Sequence, residues 1–480
     1  MKKPSGFYSS LGLLVLLNAI IKPIWIFAID RQVQNVVGTE NYGVYFSLLS
    51  LSVVLSFLAD WGFTPFFNQR LAADRSFFEK LSGNFLLWKL LFALLYCIIL
   101  FTAGFISGIK RWDILIYVTL IQVFTSLFVF FRSVITANQW FRADAWLSIT
   151  DKTLMIIGCG TLLYFPALAG NMDLARFLLL QTVFLGSSTI IAFLFLVKKE
   201  IKFIPQSNWL PSWQIIRQAL PFGMVYLLMS THSRIDAFLL ERIHTNGAYE
   251  SGIYAGAFRL LDASNMCGYL VASFMLPYIA RRWSNQTEIN SVILRCRHFL
   301  MMVAIGVIAT GVFLGPWIQR VLYHHNDEYA VEVLRYCLVA MAGYSLVHIY
   351  GTALTATGRV MEFSIIVLIS VLINSTLNLL LIPGYGAKGS CLAALSSQLF
   401  CGIATMLYAR QKIHTAVNIR SGLIYIFTGL LLSGFYYAFR NGPIPQWLLI
   451  IAAAGIVTSI MLLTKLAGIT QLIKAVRKQD

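Results

Sequence analysis

Long apolar stretches alternate with short polar breaks along almost the whole chain. Each stretch has about the 20 residues that a helix needs to cross the hydrocarbon core of a bilayer. The predicted membrane-spanning helices cover residues 9–29, 43–66, 83–107, 112–135, 145–165, 174–197, 213–234, 252–279, 296–316, 331–355, 361–382, 389–409, 421–439 and 445–464. The pattern therefore predicts an all-α polytopic membrane protein with about 14 transmembrane helices.

The longest polar break lies at about residues 198–212 and contains Pro205 and Pro211, which disfavour a continuous helix. It divides the predicted spans into groups of six, six and two. We therefore expect three parts: an N-terminal six-helix lobe over 1–200, a second six-helix lobe over 201–412, and two extra helices with a cytoplasmic tail over 413–480.

Composition supports a membrane protein, because 58% of the residues are hydrophobic and only 12% are charged. That is about half the charged share of a soluble domain. The net charge of +17 would indicate a nucleic-acid partner in a soluble protein. Here 23 Lys and Arg residues fall in cytoplasmic segments and 9 on the opposite side when the N-terminus is placed inside. The positive-inside rule thus predicts cytoplasmic termini, and no nucleic-acid partner is expected.

The motifs of soluble enzymes are missing from the sequence. The seven cysteines form no CxxC pair, and there is no Walker A or HExxH motif. The segment 384–389 has GxGxxG spacing, but it follows Pro383 and an apolar run instead of a strand. We therefore expect no catalytic residue, metal site or cofactor, and we predict that the protein is not an enzyme.

Ionisable and amide side chains inside the predicted spans are the candidates for function. Such a group is costly in lipid and should face a cavity or a partner. The candidate cavity cations are Lys22, Arg259, Arg234, Lys89 and Lys152. The candidates for ion coupling or for pairing are Asp60, Asp236, Asp262, Asn374 and Asn378.

Lys22 is the sharpest of these candidates, since it lies midway along the first predicted helix beside Pro23. Proline removes a backbone donor and bends or opens a helix. A cation beside such a bend suits an anionic head group. The alternatives are that Lys22 extends to the interface or forms a structural ion pair, for which Asp60 is one partner.

The remaining candidates have both structural and functional interpretations. Arg259 and Asp262 are three residues apart and share one face of the eighth predicted helix. The two-residue offset between Arg234 and Asp236 points them apart. Arginine is a good phosphate ligand, but each pair can also serve packing alone. Asn374 and Asn378 lie one turn apart, which favours interhelical hydrogen bonding.

Three stretches of the chain share an order and spacing with one known family. The first contains Tyr42-Gly43-Val44-Tyr45 and Leu58-Ala59-Asp60-Trp61-Gly62, the second contains Leu220-Pro221, Arg234-Ile235-Asp236 and Gly252-Ile253-Tyr254, and the third runs from Asn374 through Pro383-Gly384-Tyr385-Gly386 to Gly389. In these residues, and in its half-way break, the chain resembles the polysaccharide flippases of the multidrug/oligosaccharidyl-lipid/polysaccharide exporter superfamily.

This resemblance implies two six-helix lobes around a central cavity and transport by alternating access. It implies a polyprenyl-pyrophosphate-linked oligosaccharide as cargo, moved from the cytoplasmic to the outer leaflet of the bacterial inner membrane. Membrane lipids and a coupling ion, H⁺ or Na⁺, are the other expected partners. Lys22 and Arg259 are the cations expected to bind the pyrophosphate.

Three alternatives remain. Asp60, Asp236 and Asp262 are compatible with an ion-coupled multidrug exporter of the same fold. A flippase for a lipid-linked peptidoglycan precursor is a second possibility within the superfamily. A membrane glycosyltransferase or polymerase would need a large outer loop. The longest predicted outer loop, 232–251, has only about twenty residues, which argues against that third class.

Overall fold

The computed structural model describes residues 7–67, 75–165, 172–201, 203, 213–281, 286–323, 327–415 and 419–464. In this part of the chain every regular element is a helix. The helices of the first half are α1 (Phe7–Ile24, extended by a π-helical turn at Trp25–Asp30 and by Arg31–Val37), α2 (Thr39–Leu55, ending in a 3-10 turn at Ser56–Ala59), α3 (Arg75–Ile106), α4 (Trp112–Ala137), α5 (Phe141–Tyr164), α6 (Leu174–Lys198) and α7 (Trp213–Ile243).

The second half continues with seven helices in the described residues. They are α8 (Gly247–Arg281), α9 (Gln286–Leu322), α10 (Glu328–Val339, Met341–Leu346, a π-helical turn at Val347–Gly351, and Thr352–Ala356), α11 and α12 (together Val360–Ile413), α13 (Ile419–Phe439) and α14 (Gln446–Leu463). Gly386 separates α11 from α12 with φ 54° and ψ −131°. Glycine adopts this backbone conformation without the steric cost that a Cβ would bring.

The predicted fold class is confirmed, because the helices of the described residues coincide with the predicted spans. Ten helical segments among those residues are long and apolar enough to cross a membrane, and one of them contains both α11 and α12. The other three helices, α5, α7 and α8, are 24, 31 and 35 residues long and therefore have sufficient length. These three helices are less apolar than the other helices of the described residues. With this number of spanning segments, the chain is a multi-pass membrane protein.

The first compact unit extends to Glu241 and contains α1 to α6 and nearly all of α7. Within it α1 packs on α5, and α4 packs on α6. The lobe boundary predicted at residue 200 stays a prediction, and most of the predicted break, 204–212 with Pro205 and Pro211, lies outside the described residues.

The second compact unit begins at Arg242. In it the two extra helices α13 and α14 pack on α9. Their shared apolar cluster includes Met302, Leu314, Leu432, Tyr436, Leu449 and Ala453. The predicted cytoplasmic tail beyond residue 464 lies outside the described part of the chain.

Candidate functional site

The three more polar helices carry much of the candidate chemistry. Lys152 lies on α5, Arg234 and Asp236 on α7, and Arg259 and Asp262 on α8. A membrane-spanning helix that exposes charges to lipid is unstable, so such helices turn their charged positions toward protein or water. The distribution of charge thus separates helices that can be lipid-facing from helices that need a polar environment.

In the first unit, α1 changes its winding directly after Lys22 and Pro23. The π-helical turn at Trp25–Asp30 follows the proline at once. Proline interrupts the normal hydrogen-bond ladder, and π-helical turns often occur at functional sites. Upstream, the amide of Asn18 donates a 2.8 Å hydrogen bond to the hydroxyl of Ser148, which fixes α1 against α5.

Lys22 and Lys152 lie in the wall of one cavity of about 220 Å³ inside the first unit. The polar side chains that line it come from α1, α4, α5 and α6: Lys22, Thr125, Arg132, Ser148, Asp151, Lys152 and Gln181. Binding sites for drug-sized ligands start near about 300 Å³. The cavity is smaller than such sites, and its volume is compatible with a phosphate group or a hydrated ion.

Arg132 is held on the cavity wall by Asp144. The guanidinium donates two hydrogen bonds to this carboxylate, from Nε at 2.7 Å and from Nη2 at 3.1 Å. The bidentate geometry is the strong form of this interaction. Asp144 is buried near the start of α5, so the pair joins α4 to α5 beside the cavity.

Lys152 has two neighbours of different kind. Its ammonium lies 3.1 Å from a carboxylate oxygen of Asp151 and 5.0 Å from the centre of the Trp25 ring, in a cation–π arrangement. The Trp25 ring stacks in turn on Phe177 of α6, with centroids 6.2 Å apart. The π-helical turn therefore supplies an aromatic wall for a cavity cation.

The charges in and beside the cavity leave it net positive. Its cations are Lys22, Arg132 and Lys152, and its carboxylates are Asp151 and the Asp144 that binds Arg132. Three positive and two negative charges leave one positive charge when all are ionised. A site of this sign attracts an anion and disfavours a cation.

Lys89 and Asp60 form an ion pair elsewhere in the first unit. The side chain of Lys89 is only 2% exposed, and its ammonium also donates a 2.7 Å hydrogen bond to Ser126. Asp60 additionally accepts a hydrogen bond from the backbone N–H of Thr64 at 3.2 Å. This cluster fixes the end of α2. Both residues stay candidates for function, but neither lines the described cavity.

The other predicted site residues occupy separate positions. On α7, Asp236 is buried and Arg234 is half-buried. On α8, Arg259 and Asp262 are both half-buried and lie one turn apart on one face. Their roles stay predictions.

Asn374 and Asn378 are fully buried in the second unit within a network of hydroxyl and amide groups. The side-chain amide of Asn378 donates to Asn374 at 3.1 Å, and the hydroxyl of Ser390 donates to Asn378 at 3.0 Å. Asn374 reaches Ser397 at 3.3 Å. The network connects α11 with α12.

Sequence reasoning missed Arg132 in the cavity wall and Asp144 beside it. The positive-inside count places Arg132 in a cytoplasmic segment. The turn at 138–140 brings α5 back beside α4, which places Asp144 against Arg132. The available signal was an Asp twelve residues after an Arg, on either side of the short segment between two predicted spans.

Comparisons with known proteins agree with this architecture. A family model described as polysaccharide biosynthesis protein matches residues 8–283, which is more than half of the chain. No curated protein sequence matches the chain.

Solved membrane transporters share the fold. The chain is similar to a lipid II flippase MurJ in an inward closed conformation, with a TM-score of 0.71 and 14% identity over 97% of this chain and 99% of that one. It is also similar to an outward-facing multidrug resistance MATE family transporter of the MOP superfamily, with a TM-score of 0.61 and 13% identity over 84% and 95% of the two chains. A MOP superfamily transporter from Pyrococcus furiosus gives a TM-score of 0.58 and 12% identity over 84% and 95%. At these identities the likeness concerns the fold and leaves the cargo open.

Proposed function

This chain belongs to the polysaccharide biosynthesis protein family, and from that premise we propose that it is a flippase for a polyprenyl-pyrophosphate-linked oligosaccharide. It moves this cargo by alternating access from the cytoplasmic to the outer leaflet of the bacterial inner membrane. It acts as a transporter and not as an enzyme, with both termini in the cytoplasm.

The net positive cavity of the first unit is the observation that carries this proposal. A pyrophosphate diester brings two negative charges into a membrane, where each needs cations or hydrogen-bond donors. Lys22 and Lys152 supply ammonium donors, and Arg132 supplies a guanidinium in the cavity wall. The volume of about 220 Å³ suits the phosphate part of the cargo alone.

Three further cations, Arg259, Arg234 and Lys89, have different roles in the proposal. Arg259 lies on a polar helix and is proposed as a second phosphate-binding residue, with Arg234 in a similar role on α7. Lys89 is already paired with Asp60 in a buried cluster, so we assign it a stabilising role first.

A coupling ion, H⁺ or Na⁺, is part of the proposed cycle. Carboxylates in membrane helices are the usual carriers of protons, and amide oxygens are suitable ligands for a hard cation. The proposed sites are the carboxylates Asp60, Asp236 and Asp262 and the amide pair Asn374 and Asn378.

Two alternatives remain beside this function. A peptidoglycan-precursor lipid, also a lipid-linked diphosphate, is the second candidate cargo, since a lipid II flippase shares the fold over 97% of this chain. A multidrug exporter for cationic compounds fits less well, because a net positive cavity repels a cation.

The test of the function is deletion of the gene in a host that makes surface polysaccharide. We expect lipid-linked repeat units to accumulate in the inner leaflet. Unchanged polysaccharide with raised drug sensitivity would instead favour the exporter. Accumulation of peptidoglycan precursors with lysis would favour the second cargo.

The test of the site uses Lys22→Ala, Lys152→Ala and Arg259→Ala in the full chain. Each should lower translocation about tenfold, as expected for the loss of one charge contact, while membrane insertion is retained. Lys110→Ala, in the exposed segment between α3 and α4, is the matched control and should be silent. Wild-type transport in all three variants would contradict the proposed phosphate-binding roles of these cations.

A further inference from the structure

A polar cluster lies where α9 meets α13 in the second unit. Its side chains come from three helices and are Arg297 and His298 of α9, Tyr350 of α10, and Ser421 and Tyr425 of α13. The imidazole of His298 and the hydroxyl of Tyr425 share a 2.6 Å hydrogen bond. Tyr425 is half-buried, and the other four residues are at most 4% exposed. None of them lines the cavity of the first unit.

The guanidinium of Arg297 is the charged group of this cluster, and its charge is poorly compensated. It donates to the Tyr350 hydroxyl at 3.2 Å and to the Ser421 hydroxyl at 3.5 Å, a long contact for a hydrogen bond. Its Nε is buried and has no hydrogen-bond partner in the described residues. Within the same part of the chain Arg297 forms no ion pair. A buried cation that meets only neutral oxygens is costly, because these replace neither its hydration nor a countercharge.

The acidic residues of the neighbouring helices do not supply this countercharge. On α9 the one acidic residue is Glu288, nine residues before Arg297 and therefore about 13 Å away along the helix axis. The sequences of α13 and α14 contain no acidic residue. Those of α10 stand in its first two turns, at the end opposite Tyr350. On α11, Glu362 is paired with Arg359 at 3.4 Å.

The depth of the cluster indicates which anion can reach it. Arg297 is the second residue of the predicted span 296–316, and Ser421 is the first residue of the predicted span 421–439. Each boundary follows from its own apolar run, and the two meet at one level, that of the lipid head groups. By the predicted orientation this level belongs to the cytoplasmic leaflet, whose surface is negatively charged. Arg295, half-buried two residues before Arg297, adds a second positive charge there.

We infer that this cluster is a binding site for the phosphodiester of an anionic phospholipid, an inference that goes beyond the proposed flippase function. A guanidinium offers only donors and an ionised phosphodiester offers only acceptors, so each supplies what the other needs. The phosphodiester enters beside the half-buried Tyr425, and one of its oxygens takes the place of the distant Ser421 hydroxyl at Arg297. The Ser421 hydroxyl then donates to a second oxygen of the same phosphate. The bound lipid thereby fastens the start of α13 to α9.

The experiment measures the midpoint of thermal unfolding of the purified full chain in detergent. The added probes are dioleoyl phosphatidylglycerol, which is anionic, dioleoyl phosphatidylcholine, which is zwitterionic, inorganic phosphate, and a sugar-free polyprenyl diphosphate. Saturating phosphatidylglycerol should raise the wild-type midpoint by about 5 °C, because it binds the folded chain and not the unfolded one. Phosphatidylcholine and inorganic phosphate should each change the midpoint by less than about 1 °C.

Two variants separate a lipid site from a structural arginine. Arg297→Met removes the charge and keeps most of the side-chain length. Its midpoint without lipid should equal or exceed that of the wild type, since a poorly compensated buried charge is removed, and phosphatidylglycerol should no longer raise it. Ser421→Asp places a carboxylate beside the guanidinium. This variant should be more stable than the wild type without lipid and should also lose the response to phosphatidylglycerol.

Arg335→Met is the control, because Arg335 is a half-buried arginine of the same unit that lies outside the cluster. It donates to the carbonyl of Val312 at 3.0 Å, and Val312 stands fifteen residues beyond Arg297, about 22 Å along α9. Whatever its own midpoint, the rise on addition of phosphatidylglycerol should match that of the wild type.

Four results would overturn the phospholipid site. They are a midpoint of Arg297→Met far below the wild type without lipid, a retained response to phosphatidylglycerol in that variant, an equal response of the wild type to the two phospholipids, and a larger response to inorganic phosphate or to the polyprenyl diphosphate. The first would show that Tyr350 and Ser421 already compensate the charge, and the last would assign the cluster to another phosphate. None of these measurements follows translocation, so the flippase proposal stands or falls by its own tests.

Discussion

The carboxylate of Glu250 accepts a 2.7 Å hydrogen bond from the backbone N–H of Ala387. Glu250 lies at the start of α8, and Ala387 begins α12 just after the kink at Gly386. The hydroxyl of Tyr329 donates to the same carboxylate. The first N–H groups of a helix have no partner within the helix, and an acidic side chain there is doubly favourable. The segment at the start of α8 and the segment around Gly386, which are far apart in the sequence, thus meet at the N-terminal cap of α12.

We expect Glu250→Ala to destabilise the second unit by about 1–3 kcal/mol, because it removes the carboxylate that accepts from both the Ala387 N–H and the Tyr329 hydroxyl and leaves the Ala387 N–H with the Tyr329 oxygen at 3.0 Å alone. Glu250→Gln should cost less, since an amide oxygen can still accept from Ala387. The measurement is the midpoint of thermal unfolding in detergent. Glu362→Ala is the control, as Glu362 is 38% exposed and lies 3.4 Å from Arg359 in a surface pair. Equal midpoints for Glu250→Ala and the control would contradict the capping role.

The sequence predicted the helices well because apolar length is a local property. The break between α11 and α12 could also be predicted, because the segment around Pro383 and Gly386 contains residues that interrupt a helix. The π-helical turns could not be predicted in this way, since their winding depends on tertiary packing around residues such as Trp25.

The site was harder to predict than the fold, because pairing between charges is decided across helices. The sequence offers Asp60 as a partner for Lys22, and in the structure Asp60 forms an ion pair with Lys89. Lys22 and Lys152 do line one cavity, but their spacing of 130 positions in the sequence carries no signal of that proximity. Only the packing of α1 on α5 brings them together.

Lys89→Met should sharply reduce the amount of folded protein. Removing one partner of a buried ion pair typically costs about 3–5 kcal/mol, because the other charge is left uncompensated. The double variant Lys89→Met with Asp60→Asn should recover most of the stability. The readouts are membrane abundance and thermal unfolding. If Lys89→Met is stable but loses transport, Lys89 binds cargo, and its assignment as a stabilising residue is wrong.

Gly62→Ala should disturb the contact between the end of α2 and α7. Gly62 has φ 78°, and a Cβ there would overlap the backbone of Ala219 and Gly223. We expect a loss of about 1–3 kcal/mol from backbone strain and overlap together. Gly455→Ala in α14 is the control, since nothing lies within 4 Å of its added Cβ. That control should be neutral or stabilising by up to about 1 kcal/mol. Similar unfolding midpoints for both variants would refute the need for a close approach at Gly62.

Asp144→Asn should strengthen binding of an anionic lipid to the first unit. It removes one of the two carboxylates beside the cavity and raises the net charge there from one to two. The amide oxygen of Asn can still accept one bond from Arg132, so the wall is retained. One unit of charge at about 8 Å and an effective dielectric constant of about 20 corresponds to roughly 2 kcal/mol before screening. Salt reduces this value further.

The predicted order of affinity for a sugar-free polyprenyl diphosphate is Asp144→Asn above the wild type, and the wild type above Lys152→Ala, with about tenfold between neighbours at low salt. Fluorescence titration of the purified protein measures it, and the three affinities should converge as salt is raised. Asp113→Asn is the control, because Asp113 pairs at 2.8 Å with the exposed Arg111 away from the cavity. Equal affinities across the series at low salt would show that the cavity does not receive the phosphate, because a change of one charge at the binding site cannot leave the binding of a dianion unchanged.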